Sequence, residues 1–205
     1  GELPEPSRIT SCAELLQKAK VCTVIDTRDW EEVRDGHLPG TIWSKATIDF
    51  HRFAGSFVED TEEIIFITTQ ENLDRAIRNA IRIGLDRIIA WADPFLLKGM
   101  EGLEQLSEIS ATELHSRSNQ AVLDVRRMQE YQDGAIPTAM NIAHTRLMDR
   151  IEEIDKHTPL VIHCHGGTRS AAACMALKRK GYDVTNLAGG YKGWCMANET
   201  CVSTT

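Results

Sequence analysis

The residues best placed to do chemistry lie in one short run, His163-Cys164-His165-Gly166-Gly167-Thr168-Arg169-Ser170. An apolar stretch, Leu160-Val161-Ile162, precedes it, and an Ala-rich helical segment, Ser170 to Lys180, follows. A cysteine at a strand end, a Gly-rich loop and then a helix N-terminus form an anion-binding arrangement around a thiol. Loop N–H groups and the positive end of the helix dipole favour thiolate, which is the nucleophilic form. The pattern therefore points to covalent catalysis through Cys164. Gly166 and Gly167 are expected to let the loop curl with its amides inward, since no Cβ obstructs them. His165, Gly166, Gly167, Thr168, Arg169 and Ser170 together make the expected substrate-binding cradle.

Arg169 has two readings: a clamp on an anionic donor, or a partner for Asp124 that holds the loop. The second is preferred, because a rigid cradle needs a partner for that buried-side carboxylate. His165 is either an acid or donor contact, or an exposed loop residue. His163 precedes the cysteine on a strand, so its side chain points to the opposite face and belongs to the core or to the site's support. Consecutive strand residues alternate faces, and no second cluster has ligand spacing, so His163-Cys164-His165 is not expected to bind a metal. Cys174 reads as a small buried helix residue and Cys22 as a strand residue. Cys195 and Cys201 read as spare thiols near the C-terminus, with a Cys195–Cys201 pair as the alternative.

The rest of the chain must position that loop. Its 205 residues suffice for one large domain or two small ones, and 42% hydrophobic with 26% charged residues is ordinary for a globular protein. A net charge of −7 argues against a nucleic-acid partner. No apolar run approaches the roughly 20 residues that span a bilayer, so no membrane segment is expected. The six cysteines show no CxxC spacing, which suits reduced thiols in a cytoplasm better than a disulfide framework. The chain opens with Gly1 rather than Met, so it is expected to be trimmed or a piece of something longer.

A repeat organises the chain. Val21 to Arg28 reads as a buried strand ending Asp26-Thr27-Arg28, and Ala121 to Arg126 repeats it, ending Asp124-Val125-Arg126. At the same spacing Glu32 matches Glu130, Gly36 matches Gly134, and Pro39 matches Pro137. Ile64-Ile65-Phe66-Ile67 then matches Leu160-Val161-Ile162-His163, and each copy follows with a helix expected to end at Gly84 or Gly181. Apolar strands alternating with helical patterns predict α/β units, each a mainly parallel sheet flanked by helices. The expected domains are 1–100 and 101–205, joined near Lys98 to Leu103. The tryptophans Trp30, Trp43, Trp91 and Trp194 are expected in core or inter-domain positions.

These residues resemble the rhodanese-like (sulfurtransferase) family, twice over. The Asp-x-Arg strand end, the Glu beyond it and the Gly-x-x-Pro corner are similar to the family's opening motif. Cys164-x-x-Gly167-x-Arg169-Ser170 and Asn186-Leu187-Ala188-Gly189-Gly190-Tyr191-x-x-Trp194 resemble its active loop and final turn. The corner Gly134-Ala135-Ile136-Pro137-Thr138 departs from the usual form at two positions. The resemblance implies that the second domain is catalytic through a Cys164 persulfide, with Asp124 and Arg126 as structural support of the loop. It implies that the first is silent, since Ile67-Thr68-Thr69-Gln70-Glu71-Asn72 has neither Cys nor Gly and adds an acidic Glu71.

The implied reaction moves sulfane sulfur from thiosulfate or a small persulfide to a thiol or cyanide, with no cofactor in this chain. The silent–active tandem also resembles the C-terminal part of fusions with a metallo-β-lactamase-like persulfide dioxygenase; iron would enter only with such an N-terminal domain. Two rivals remain. One is a Cys-dependent phosphatase or arsenate reductase, whose His-Cys-x5-Arg loop is one residue longer than His163-Cys164-x4-Arg169. The other is a non-catalytic rhodanese-like binding module.

Overall fold

Strands of a parallel sheet covered on both faces read as unbroken apolar runs, and Ile64–Ile67 and Leu160–His163 are each buried along their whole length. The computed structural model describes residues 3–198 and divides into two compact units between Gln105 and Leu106. The first unit runs β1 (Ser7–Ile9), α1 (Cys12–Ala19), β2 (Thr23–Asp26), α2 (Trp30–Asp35), β3 (Ile42–Trp43), α3 (Phe50–Phe57), β4 (Ile64–Ile67), α4 (Gln70–Ile81) and β5 (Ile88–Ala92). The second runs β6 (Glu108–Ile109), α5 (Ala111–Ser116), β7 (Ala121–Asp124), α6 (Met128–Gln132), β8 (Met140–Asn141), β9 (Leu160–His163), α7 (Thr168–Arg179), β10 (Val184–Leu187) and α8 (Gly190–Asn198).

Both sheets are five-stranded, and their named pairings are parallel, in the orders β1-β5-β4-β2-β3 and β6-β10-β9-β7-β8. The second order is the first with each strand replaced by its counterpart, so the sequence repeat is a repeat of topology. The register repeats too: Asp26 lies opposite Ile67 as Asp124 lies opposite His163.

At the end of each repeated strand the Asp-x-Arg pattern closes into a fork. Arg28 Nη2 lies 2.7 Å from Asp26, and Arg126 Nη2 lies 2.6 Å from Asp124. Each guanidinium also donates to a corner carbonyl, Gly36 O or Gly134 O, at 2.7 Å. Positions i and i+2 share a face of an extended chain, so the pair forms without any detour of backbone. The Gly-x-x-Pro corner is thereby tied to the strand that precedes it.

The units fill their cores differently. In the first, Phe50, Phe53 and Phe57 line one buried face of α3, and Phe50 packs edge-on against Phe66 with ring centroids 6.2 Å apart. The second has only short 3₁₀ turns, His144–Arg146 and Ile151–Glu153, in that part of the chain. Its bulk comes instead from α7, buried continuously from Ser170 to Leu177. Ala171, Ala172, Ala173, Cys174 and Ala176 are small enough for a helix to lie close on the sheet.

Some expectations shift. The first strand starts at Thr23, not Val21: Val21 is 83% exposed, and Cys22 is half-buried in the turn before β2. The division falls after Gln105 rather than after Met100, because His37 and Glu104 exchange backbone hydrogen bonds of 2.9 and 2.8 Å that tie the connecting segment to the first unit. Trp43, Trp91 and Trp194 are buried, whereas Trp30 is half-buried and tilts against Trp43. Cys174 is buried in α7 as expected. Cys195 is disulfide-bonded rather than a spare thiol, and Cys201 lies outside the described residues. Among the described residues no helix is long and apolar enough to cross a membrane.

Asp124→Asn leaves Arg126 in its 3%-exposed position without a carboxylate. The urea transition of the second unit is expected to lose about 3–5 kcal/mol. A loss no larger than that of an exposed ion pair would show that the fork is not structural.

Candidate active site

Strand β9 delivers Cys164 directly beyond its C-terminal end, where α7 begins after a short loop. The thiol is 1% exposed. Its sulfur accepts the Gly167 N–H at 3.2 Å, and the Ser170 hydroxyl lies 3.5 Å away. That hydroxyl is also 2.9 Å from Gly167 O, so its single proton is shared between a carbonyl and the sulfur. Gly167 is the N-cap of α7 at φ +105°, a conformation a side chain opposes. Gly166 differs from expectation: its φ is not left-handed and a Cβ there would meet nothing within 4 Å. The loop's curl needs Gly167 only.

The loop is held from beneath by the start of α8. Tyr191 N–H donates to Cys164 O at 2.8 Å and Lys192 N–H to His165 O at 3.0 Å. These are first-turn donors that have no partner inside their own helix. The approach is so close that a Cβ at Gly190 would stand 2.6 Å from Cys164 O and 2.7 Å from His165 O. The Gly189-Gly190-Tyr191 turn is thus a packing requirement of the loop it supports.

Under Tyr191 lies a buried polar floor. The Arg126 guanidinium sits 4.1 Å from the Tyr191 ring centre while its fork holds Asp124. His163, fully buried, has Nδ1 3.2 Å from Cys164 O and Nε2 3.6 Å from Asp124. Burial pushes its pKa down, against an opposing pull from Asp124, so the ring is a neutral supporting group rather than an acid. Asp124 and Arg126 therefore reach the loop through Tyr191 and His163.

Arg169 corrects the expectation about its partner. It does brace the loop, but against Glu130, with Nη1 and Nη2 at 2.7 and 2.8 Å from the two carboxylate oxygens. Asp124 is already occupied by Arg126, which sits two residues along the same strand end. The bidentate hydrogen bond from Arg169 holds Glu130 down to about 2, with smaller help from the Arg127 N–H. Arg169 is raised in turn, mainly by Glu130 and to a lesser extent by the sulfur of Cys164. His165, Gly166 and Thr168 are exposed at the mouth of the loop, and Arg169 is half-buried.

Reasoning from sequence missed Glu130, Tyr191 and Gly190 as functional positions. Glu130 carried a signal, since it recurs as Glu32 in the repeat and is opposite in charge to the loop arginine. In the first unit Thr68 stands where Cys164 stands, immediately after the strand residue opposite the aspartate. Only Thr68 and Thr69 link β4 to α4, so that unit has neither the thiol nor the glycine loop. Among the described residues no group of three or more His, Cys, Asp or Glu side chains is placed to hold a metal ion.

A buried cysteine at the end of a parallel strand, its sulfur facing a helix N-terminus, defines an α/β protein with a thiol at its strand-to-helix turn. Residues 110–197 match the Rhodanese-like domain family. The chain is 35% identical over 89 residues to a protein described as sulfurtransferase from Allochromatium vinosum, covering 43% of this chain and 83% of that one. It is 28% identical over 92 residues to thiosulfate sulfurtransferase GlpE of Coxiella burnetii, covering 44% and 86%. A solved rhodanese-related protein from Thermoplasma volcanium aligns at 28% identity and a TM-score of 0.44, over 45% of this chain and 93% of that one. The chain belongs to the rhodanese-like family of sulfurtransferases.

Two outcomes test this geometry. Glu130→Gln should destabilise the second unit at neutral pH by about 1 kcal/mol, the scale of a partly exposed pair. A carboxylate held low in the folded state contributes above its unfolded value of about 4.3, and its contribution disappears as pH falls toward about 2. The difference between wild type and variant, followed by urea unfolding, should therefore shrink across that acidic window. Gly190→Ala should cost about 1–3 kcal/mol, because two backbone carbonyls rather than a flexible side chain must give way. Wild-type stability in Gly190→Ala would contradict that close approach.

Proposed function

We propose that the second unit transfers sulfane sulfur through Cys164. The observation that carries this reading is the Cys164 sulfur itself, buried at 1% exposure with the Gly167 N–H at 3.2 Å. The Cys164 thiolate attacks the outer sulfur of thiosulfate or of a low-molecular-weight persulfide. The donor's S–S bond breaks, and sulfite or a thiolate leaves with the electron pair. The product is a Cys164 persulfide whose terminal sulfur carries the negative charge. A thiolate or cyanide then attacks that terminal sulfur and returns Cys164 as thiolate. Two displacements replace one transfer, which is covalent catalysis. The Gly167 amide, the Ser170 hydroxyl and the N-terminus of α7 face sulfur anions in both half-reactions.

Arg169 acts as a brace, with both terminal nitrogens on Glu130, and holds the cradle's shape. His165 and Thr168 form the exposed mouth through which donor and acceptor approach. The first unit, with Thr68 in place of the cysteine, takes no part in sulfur transfer. We place the chemistry in a cytoplasm, where Cys164 stays free, a reading that the four free cysteines Cys12, Cys22, Cys164 and Cys174 support and the bonded Cys195 does not. A phosphatase reading is disfavoured by the loop length and by the engagement of Arg169, which in that chemistry would hold the phosphate.

Incubation of the full chain with thiosulfate, or with glutathione persulfide, should add the mass of one sulfur atom at Cys164, and cyanide should discharge it as thiocyanate. Cys164→Ser should abolish loading. Ser170→Ala should slow turnover about tenfold, the value of one hydrogen bond of ~1.4 kcal/mol. Hydrolysis of an aryl phosphate without sulfur loading would replace this reading with the phosphatase one.

A further inference from the structure

The first unit has Thr68 where the second has Cys164, and a cavity lies beside it. The cavity, of about 390 Å³, opens at the C-terminal ends of β2 and β4, lined by Thr68 and by the start of α4. That volume is in the range of small-molecule sites. Most polar side chains around it have partners within the protein. Arg28 is held by Asp26 and Gly36 O, Lys45 pairs with Asp29, and Asn72 donates to Thr69. Thr27 donates to Ile67 O at 3.0 Å.

Three lining groups are left over. The Thr68 hydroxyl is buried, in a residue 1% exposed, and has no hydrogen-bond partner. Glu32 and Arg75 also line the cavity, and neither makes an ion pair or side-chain hydrogen bond among the described residues. The contrast with the second unit explains Glu32. There its counterpart Glu130 is neutralised by Arg169, the second residue of α7. The second residue of α4 is Glu71, which cannot play that part and does not line the cavity. What remains is one carboxylate, one guanidinium and one orphaned hydroxyl beside the N-terminus of a twelve-residue helix.

We propose that this cavity binds a small zwitterion of the α-amino-acid type. Its carboxylate faces the Gln70 and Glu71 N–H groups at the start of α4, the Thr68 hydroxyl and Arg75, and its ammonium faces Glu32. Helix N-termini and an unpaired guanidinium both select a carboxylate. An unpaired carboxylate on the same wall disfavours a simple anion and selects a ligand carrying both charges. The site is non-covalent, separate from the chemistry of Cys164, and stands whether or not the sulfur-transfer reading holds.

The test is amide-resolved NMR of the full chain titrated with L-serine, acetate or ethylamine at matched ionic strength. L-Serine should shift the Gln70, Glu71 and Asn72 amides saturably, more tightly than either half-molecule. Thr68→Val, Arg75→Gln and Glu32→Gln should each weaken that response about tenfold, with resonances elsewhere in the first unit unchanged as the control for folding. Cys164→Ser should leave it intact. The proposal is overturned if L-serine gives no saturable shift at these amides. It is equally overturned if acetate matches L-serine and Glu32→Gln has no effect, which would mark a plain anion site.

Discussion

Two hydrogen bonds carry the architecture of the thiol loop: Tyr191 N–H to Cys164 O and Lys192 N–H to His165 O. The first turn of any helix presents donors with no partner inside it, and a loop that has left its sheet presents carbonyls in the same condition. Placing α8 under the loop satisfies both sets at once. The arrangement requires Gly190, since any side chain there would push the helix off the carbonyls. It also requires something to fix Tyr191, which is the role of the Asp124–Arg126 fork and of His163 packed against its ring. From the strand-end aspartate to the sulfur, each group is positioned by the one before it.

The two units show what this chain of support is for. They share strand order, register and the Asp-x-Arg fork, so the fork belongs to the fold and not to the chemistry. What differs is local: four linking residues, Cys164 to Gly167, in one unit and only Thr68-Thr69 in the other. A loop of the shorter kind has no room to turn its amides toward a sulfur. The Glu–Arg brace exists only where there is a loop to brace. The same carboxylate position is free in the first unit because the second residue of α4 is the acidic Glu71 where that of α7 is Arg169.

Much of this was legible in the sequence. Uninterrupted apolar runs such as Ile64–Ile67 gave the parallel strands, because strands buried on both faces need no alternation. The repeat gave the doubling, and the spacing of Cys164, Gly167 and Arg169 gave the loop. The partner of Arg169 was not legible. Asp124 was the nearer choice in function, yet Arg126 occupies it through the i, i+2 geometry of an extended chain, and Glu130 lies on α6, whose direction only the fold determines. Nor was it legible that Gly166 is dispensable for backbone shape while Gly190, far along the chain, is not. Those facts depend on how closely two backbones approach, which no local pattern encodes.

One buried residue in α7 has a further consequence. Cys174 is fully enclosed, and burial pushes its thiol well above the ordinary value, so it stays protonated and inert. Cys12 and Cys22 belong to the first unit, and Cys195 is bonded. Among the described residues, Cys164 therefore has no second free thiolate in its own unit with which to close an internal disulfide. If the proposed sulfur transfer holds, cargo taken up at the loop has no outlet among the described thiols of its own unit, and the lifetime of the loaded state is then set by the supply of acceptor rather than by an internal disulfide.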